Sequence, residues 1–331
     1  MDIYFTKEWG EVNRLIEEGE PREYTLRSPY GTVRSMFILR PIPQKVDGKT
    51  YYDITTPYGY GGPWIETEEK GSRAELLADY EERFGAWCRE NDIVSEFVRF
   101  HPVAGNGKDF APVYHSVLDR HTVGTDLTGD DPIAEEFSRS ARKSVRSALR
   151  AGASWRVIEH PRDVTDFIRV YYSTMDRDDA REFYYFPREY FEKCLELFGE
   201  RVILVEALCE GRVIAAGFYI LSDGVIHAHL SGTLKEYIHL SPAYITKYAT
   251  ALWGKEHGFR LVHYGGGTSR DPENSLFLFK RKFTKDTLFD FYTGKKVWNR
   301  EIYDRLCDLR GVESHGERPW EAAFFPAYRE E

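Results

Sequence analysis

The chain has 331 residues, of which 42% are hydrophobic and 15% aromatic, enough for one large domain or two ordinary ones with full cores. Its 45 Lys and Arg against 54 Asp and Glu leave a formal net charge of −9, so the surface as a whole should not coat nucleic acid, and any polyanion must be met locally. No 18-residue apolar run occurs, and "MDIYFTKEWGEVNRLIEEGE" carries acids among its apolar residues. Neither a membrane span nor a signal peptide is expected, and the predicted location is cytoplasmic. Cys88, Cys194, Cys209 and Cys307 are dispersed, which argues against both a disulfide framework and a structural zinc site.

In chain order, the pattern predicts strands near 22–29, 32–42 and 51–57, a helix over about 67–91, and strands near 94–101 and 113–121. "PYGYGGPW", residues 57–64, interrupts these as a Gly-aromatic turn. "DPIAEEFSRSARKSVRSALRAG" then reads as one helix that opens at Asp131-Pro132 and closes at Gly152. On its wheel Arg139, Arg142, Lys143, Arg146 and Arg150 share a narrow arc opposite Phe137, Ala141, Val145 and Ala148. This stripe is either a solvated face or a site for a phosphate-bearing ligand. Beyond it come strand "SWRVIE", helices from Pro161 to about Phe198, and an antiparallel meander of "RVILVEALC", "RVIAAGFYIL" and "GVIHAHLSG". A helix from Ser241-Pro242 to Gly258 follows, then strand "RLVHY", a short helix near 275–283 and strand "TLFDFYTG".

The order β-α-α-β-β-β-α-β-α-β is that of the GNAT acyltransferase fold, whose mixed sheet opens a cleft between its fourth and fifth strands. The expected fold class is therefore α/β (α+β), with two tandem GNAT-like domains built on mixed, largely antiparallel sheets. Domain 1 is read as 1–130, a basic connecting helix as 131–152, and domain 2 as 153–331. The cleft would lie between "GVIHAHLSG" and "RLVHY".

Three sets of residues are expected to converge there. Period two puts His227, His229 and Ser231 on one strand face. No third ligand accompanies the histidines, so no metal is expected. His229 is the candidate for proton handling. Gly265, Gly266 and Gly267 allow a close backbone approach or a tight turn, without the pattern of a P-loop or a dinucleotide fingerprint. In "SLFLFKRKF", 100° steps place Lys280 between Leu276 and Phe283, with Phe279 alongside. That lysine is either a snorkelling side chain or a cation held for chemistry. At "GTLKEYIHLSPAYITKY" the glycines that cradle a CoA pyrophosphate are missing, and Pro242 removes an amide donor.

"TPYGYGGPW", "SRSARKSVRSALRAGASWRV", "YYSTMDRDDAREFYYFPREYF", "HLSGT" and "GGGTSRDPENSLFLFKRKF", in this order, resemble the Fem-type aminoacyltransferases over nearly the whole length. The resemblance implies transfer of an amino acid from aminoacyl-tRNA to an amine of a UDP-linked or lipid-linked muropeptide. It also implies a peptide bond made without ribosome, ATP or a tightly bound cofactor, by a monomer. Lys280 matches the family's F-K-x-x-F lysine, and Arg177 its acceptor-contacting arginine, with Tyr184 and Tyr185 nearby to hold a phosphate and a base or sugar face. Two other readings stay open: an N-acyltransferase using acyl-CoA or acyl carrier protein, and a non-catalytic module binding a muropeptide or nucleotide sugar.

Overall fold

The predicted N-terminal strands form, with one addition. The chain runs through α1 (Lys7–Asn13), β1 (Glu20–Ser28), β2 (Gly31–Val46), β3 (Lys49–Thr55), β4 (Trp64–Glu68), α2 (Arg73–Glu90), β5 (Ile93–Arg99), α3 (Asn106–Asp109) and β6 (His115–Asp126). β4 occupies the start of the span expected to be helical, so α2 begins at Arg73. The segment 57–63 is a structural turn: Asn106 donates to the carbonyls of Gly61 and Pro63 at 2.8 and 2.9 Å, and a Cβ on Gly62, at φ +87°, would collide with Val98.

The basic segment is two helices rather than one, α4 (Pro132–Glu136) and α5 (Arg139–Arg150). Phe137 adopts an extended conformation between them, and the Ser138 hydroxyl caps α5 by accepting from the Ala141 amide at 3.1 Å. β7 (Ser154–Glu159), α6 (Thr165–Arg177), α7 (Arg188–Phe198), β8 (Val202–Cys209), β9 (Arg212–Ser222), β10 (Val225–Thr233), α8 (Pro242–Glu256), β11 (Leu261–Gly265) and α9 (Ser275–Lys280) follow, and β12 (Leu288–Val297) and α10 (Arg300–Arg310) close the chain. This is a computed structural model, and it describes residues 1–330.

Residues 2–119 with 290–330 form one compact unit, and residues 120–289 form another. In the first unit the strand order is β1-β2-β3-β5-β12, with β4 on β2 and only β3–β5 parallel. α2 lays Leu76, Leu77, Tyr80 and Phe84 on this sheet, and α10 packs Ile302 and Leu306 against Ile42 and Val46. Within its core Glu96, 2% exposed, accepts from the Tyr114 hydroxyl and the Trp298 indole, each at 3.0 Å. Burial pushes its carboxyl up to about 7.

The second unit is ordered β6-β11-β10-β9-β8-β7. Only β10–β11 is parallel, and their pairing stops at His227↔His263. Beyond that point β10 continues to Thr233 and β11 to Gly265, so the sheet forks. α6 packs against β9 and β10, and α8 lies along β7, β8 and β9 with Ile245, Ala249 and Trp253 inward. Each such large apolar side chain contributes about 1.5–3 kcal/mol when fully buried.

This division differs from the boundary expected from sequence. β12 and α10 belong with the N-terminal half because β12 hydrogen-bonds to β5, and the basic helices pack inside the second unit instead of bridging two domains.

Candidate active site

The end of β11 brings together the glycine triplet, Lys280 and a residue the sequence did not single out, Arg120. Gly265 takes φ +72°, turning the chain sharply at the strand end. The Lys280 ammonium donates to the Gly266 carbonyl at 2.6 Å, and the Arg120 guanidinium donates to the Gly267 carbonyl at 2.8 Å. Side chains fit neither neighbour: a Cβ on Gly266 would lie 3.0 Å from the His121 carbonyl, and one on Gly267 would overlap Asn274. The triplet is thus a tight carbonyl-bearing turn held by two cations.

Lys280 ends α9, which Asn274 starts by accepting from the Phe277 amide at 3.1 Å. The inward face of α9 is displaced by one residue from the expected stripe. Phe277, Phe279 and Phe283 pack on the core, while Leu276 and Leu278 are exposed, because the α-helix gives way to a 3-10 turn at Arg281–Phe283. The Lys280 side chain is half-buried along its length and its ammonium is enclosed. Burial first, then the charges of Lys247 and Arg120, lower it from the ordinary lysine value to about 7. A simple snorkelling lysine keeps its ordinary ionisation in water; this one is poised between charged and neutral forms.

The histidine face is broken by a β-bulge between Ala228 and Leu230. His229 is directed among Phe186, Tyr190 and Phe218, with Nε2 2.9 Å from the Tyr190 hydroxyl. Burial and, secondarily, His227 depress its pKa to about 3, so it stays neutral and is a poor base for the role expected of it. After the bulge Ser231 pairs with Gly217 and is exposed, while Gly232 lies against the α6 backbone at Val170 and Tyr171. Ser231 therefore leaves the face that carries the histidines.

On the other limb of the fork, Arg177 at the end of α6 donates to the Thr233 carbonyl at 2.9 Å and holds Asp178 through two bonds of 2.8 and 3.2 Å. Tyr185 donates to Asp176 at 2.9 Å, and Tyr184 is exposed beside Phe183. The Arg177 guanidinium is already occupied by Asp178, which any incoming phosphate would have to displace.

The cation stripe is also divided. Arg142 donates to the carbonyls of Ala134 and Phe137 at 2.5 and 2.8 Å, closing the end of α4, so it is structural. Arg139, Lys143, Arg146 and Arg150 are exposed, and among the described residues none forms an ion pair.

Two participants were missed. Lys247 on α8 is 5% exposed, and its ammonium lies over the rings of Tyr264 and Tyr219 at 4.8 and 5.5 Å. Its signal was available in "SPAYITKYATALWG": a lysine on the inward side of a helix, the same anomaly that marked Lys280. Arg120 in the strand "HSVLDRHTVGTD" carried no comparable signal.

Residues 136–273 match the acetyltransferase (GNAT) domain family. That stretch is a GNAT acyltransferase domain. Among solved structures the chain is similar to FemX, with 14% identity, a TM-score of 0.68, and coverage of 92% of this chain and 94% of that one. It is also similar to the C-terminal domain of a putative lysylphosphatidylglycerol synthetase from Agrobacterium fabrum, at 14% identity, TM-score 0.57 and coverage of 90% and 92%. L-PGS from Bacillus licheniformis follows, with 15% identity, TM-score 0.52 and 86% of each chain. At these identities the likeness is one of fold. No curated protein matches the chain in sequence. Among the described residues no helix is long and apolar enough to cross a membrane.

A cavity also lies away from the end of β11. It occupies about 740 Å³ in the first unit and is lined by His115, Lys295, Arg300, Trp320 and Phe325. None of the residues that mark the fork reaches it, so size alone does not locate the chemistry.

Proposed function

We propose that the second unit transfers an aminoacyl group from aminoacyl-tRNA to an amine of a peptidoglycan precursor or similar acceptor, forming an amide. The observation that carries this reading is Lys280: an enclosed ammonium at the end of β11, on one limb of a forked GNAT sheet, and poised to ionise near neutrality. Aminolysis of an ester needs an aligned carbonyl, a neutral amine and stabilisation of the developing oxyanion, but no protein nucleophile. A cation in a poorly solvated place meets the last need, since its field is screened less there than in water.

The donor side favours an ester over a CoA thioester. At the start of α8, Ser241 adopts a left-handed conformation and its side chain caps nothing, while Pro242 removes an amide that a pyrophosphate would use. The exposed cations of α5 give a tRNA a local surface to meet on a chain that is acidic overall. The Fem-type motifs and the similarity to FemX agree with this donor, and the similarity to lysylphosphatidylglycerol synthetases makes a lipid a natural second acceptor to screen.

The test is single-turnover transfer, read by mass spectrometry, from charged tRNA to a UDP-linked muropeptide, to phosphatidylglycerol vesicles and to simple amines, with acetyl-CoA as the competing donor. Amide formation that requires charged tRNA supports the reading. Acetyl transfer without tRNA would replace it with an acyl-CoA enzyme, and binding without any transfer would leave a recognition module.

A further inference from the structure

Gly265, Gly266 and Gly267 solve one problem and leave another. The turn needs glycine because its neighbours come so close: a Cβ on Gly266 would lie 3.0 Å from the His121 carbonyl and 3.1 Å from Arg120 Cδ, and one on Gly267 would overlap Asn274 Oδ1. Glycine has little conformational preference of its own, however, so three in a row leave the direction of their carbonyls to be set from outside. That direction matters here, because the Gly266 carbonyl is the acceptor that the Lys280 ammonium holds at 2.6 Å.

Two side chains set it. On one side Asn274, the cap of α9, accepts from the amides of Thr268 and Phe277 at 3.3 and 3.1 Å and donates to the Thr268 hydroxyl at 2.8 Å, which ties the far end of the turn to the helix that carries Lys280. On the other side is β6. Its antiparallel pairing with β11 ends at Val123↔Gly265, so Arg120 stands beside the turn, just past the last pair. The stem of Arg120 borders Gly266, and its guanidinium donates to the Gly267 carbonyl at 2.8 Å, one residue from the carbonyl that Lys280 holds. The contacts close a ring: Arg120 to Gly267, Gly266 to Lys280, Lys280 along α9 to Asn274, and Asn274 back to the turn.

We propose that Arg120 is a positioning residue: by clamping the Gly267 carbonyl it fixes the glycine turn, and the turn fixes the Lys280 ammonium where the oxyanion of the transfer develops. This rests on the aminoacyl-transfer reading, in which Lys280 acts as a cation. Released from Arg120, the peptide between Gly266 and Gly267 has no side chain to restrain it and is free to rotate, carrying the acceptor of Lys280 with it. A displacement of about 1 Å in a group aimed at the reacting atoms lowers a rate by about 100-fold.

The test uses Arg120→Met, which keeps most of the stem, and Arg120→Gln, which keeps a shorter, uncharged donor; either variant that folds carries it. Hydrogen exchange read by mass spectrometry, with no substrate present, should show the segment 264–280 exchanging several-fold faster than in wild type while β8 and β9 exchange as before. Single-turnover transfer at saturating acceptor should fall by about 10- to 100-fold, with acceptor affinity within about 3-fold of wild type. That loss should disappear in the Lys280→Met background, since a residue that acts through Lys280 then has nothing left to position. Unchanged exchange over 264–280 overturns the proposal, and so does faster exchange spread across the whole second unit in both variants, which would make Arg120 a support of the fold. An equal loss of rate with and without Lys280 overturns it too, by placing Arg120 on the substrate in its own right. A wild type that makes no amide refutes the aminoacyl-transfer reading instead, and the exchange measurement then still decides whether Arg120 holds the turn.

Discussion

Replacing Lys280 by Met keeps the length and the apolar stem while deleting the charge. The folded protein holds this ammonium at about 7 against 10.5 for a free lysine. Because the folded value is depressed, the unfolded chain binds more protons between these two pH values, so the group destabilises the native state fully below pH 7 and this penalty disappears as pH rises toward 10.5. A shift of about 3.5 units corresponds to a ceiling of about 5 kcal/mol at 1.36 kcal/mol per unit. Loss of the bond to the Gly266 carbonyl, worth about 1.5–3 kcal/mol for a charged donor, works the other way. Lys280→Met should therefore be more stable than wild type by about 2–3 kcal/mol below neutrality, with the advantage shrinking or reversing in alkaline buffer. Denaturant unfolding of both proteins at acid and alkaline pH gives the difference directly. In the transfer assay the same variant should lose roughly 100-fold or more in single-turnover rate with a smaller change in acceptor affinity, because the missing interaction strengthens only as charge develops. A stability difference that does not vary with pH would refute the enclosed-ammonium argument. Equal rates at saturating acceptor would refute its role in transfer.

Neutralising Lys143, Arg146 and Arg150 together should leave the unfolding midpoint within experimental error and reduce the salt slope of tRNA binding by roughly 2, as measured by titration at several salt concentrations. Arg142→Ala should behave differently, lowering stability by about 1–2 kcal/mol through the two uncapped carbonyls of α4, with little change in the salt slope. Millimolar acetyl-CoA should give no thermal shift, and a clear shift would point to a thioester donor. Glu96→Gln tests the first unit. Because the carboxyl is raised from 4.5 to about 7, the wild-type core loses stability as pH rises through that window, so the Gln variant should gain up to about 3 kcal/mol on wild type above pH 7 and almost nothing at acid pH. Parallel unfolding curves across the window check it.

The sequence carried local information well and long-range pairing poorly. Strands of the second unit, the start of α8 at Pro242 and the inward direction of Lys280 follow from periodicity and capping, which depend on neighbours a few residues away. The errors share one cause, a single residue that resets a period. Ser138 competes as a cap and splits the basic helix, the extra residue at the bulge turns Ser231 off the histidine face, and the 3-10 turn at the end of α9 exchanges Phe277 for Leu276 on the inner side. Arg120 meets the glycine turn across 147 positions of sequence, and nothing in its own neighbourhood marks it. The domain boundary failed for the same reason, since the partner of β12 is set by hydrogen bonds to a strand almost two hundred residues earlier.

That pairing also sets an order of events during synthesis. As the chain leaves the ribosome, residues 120–289 have every strand of their own unit available once β11 and α9 have emerged. The half made first must wait: β5 keeps an open edge, and the face that α10 covers stays bare, until the final forty or so residues appear. The later-made unit is thus able to fold before the earlier one, and a nascent chain stalled short of β12 would carry a finished transfer unit tethered to an unfinished sheet.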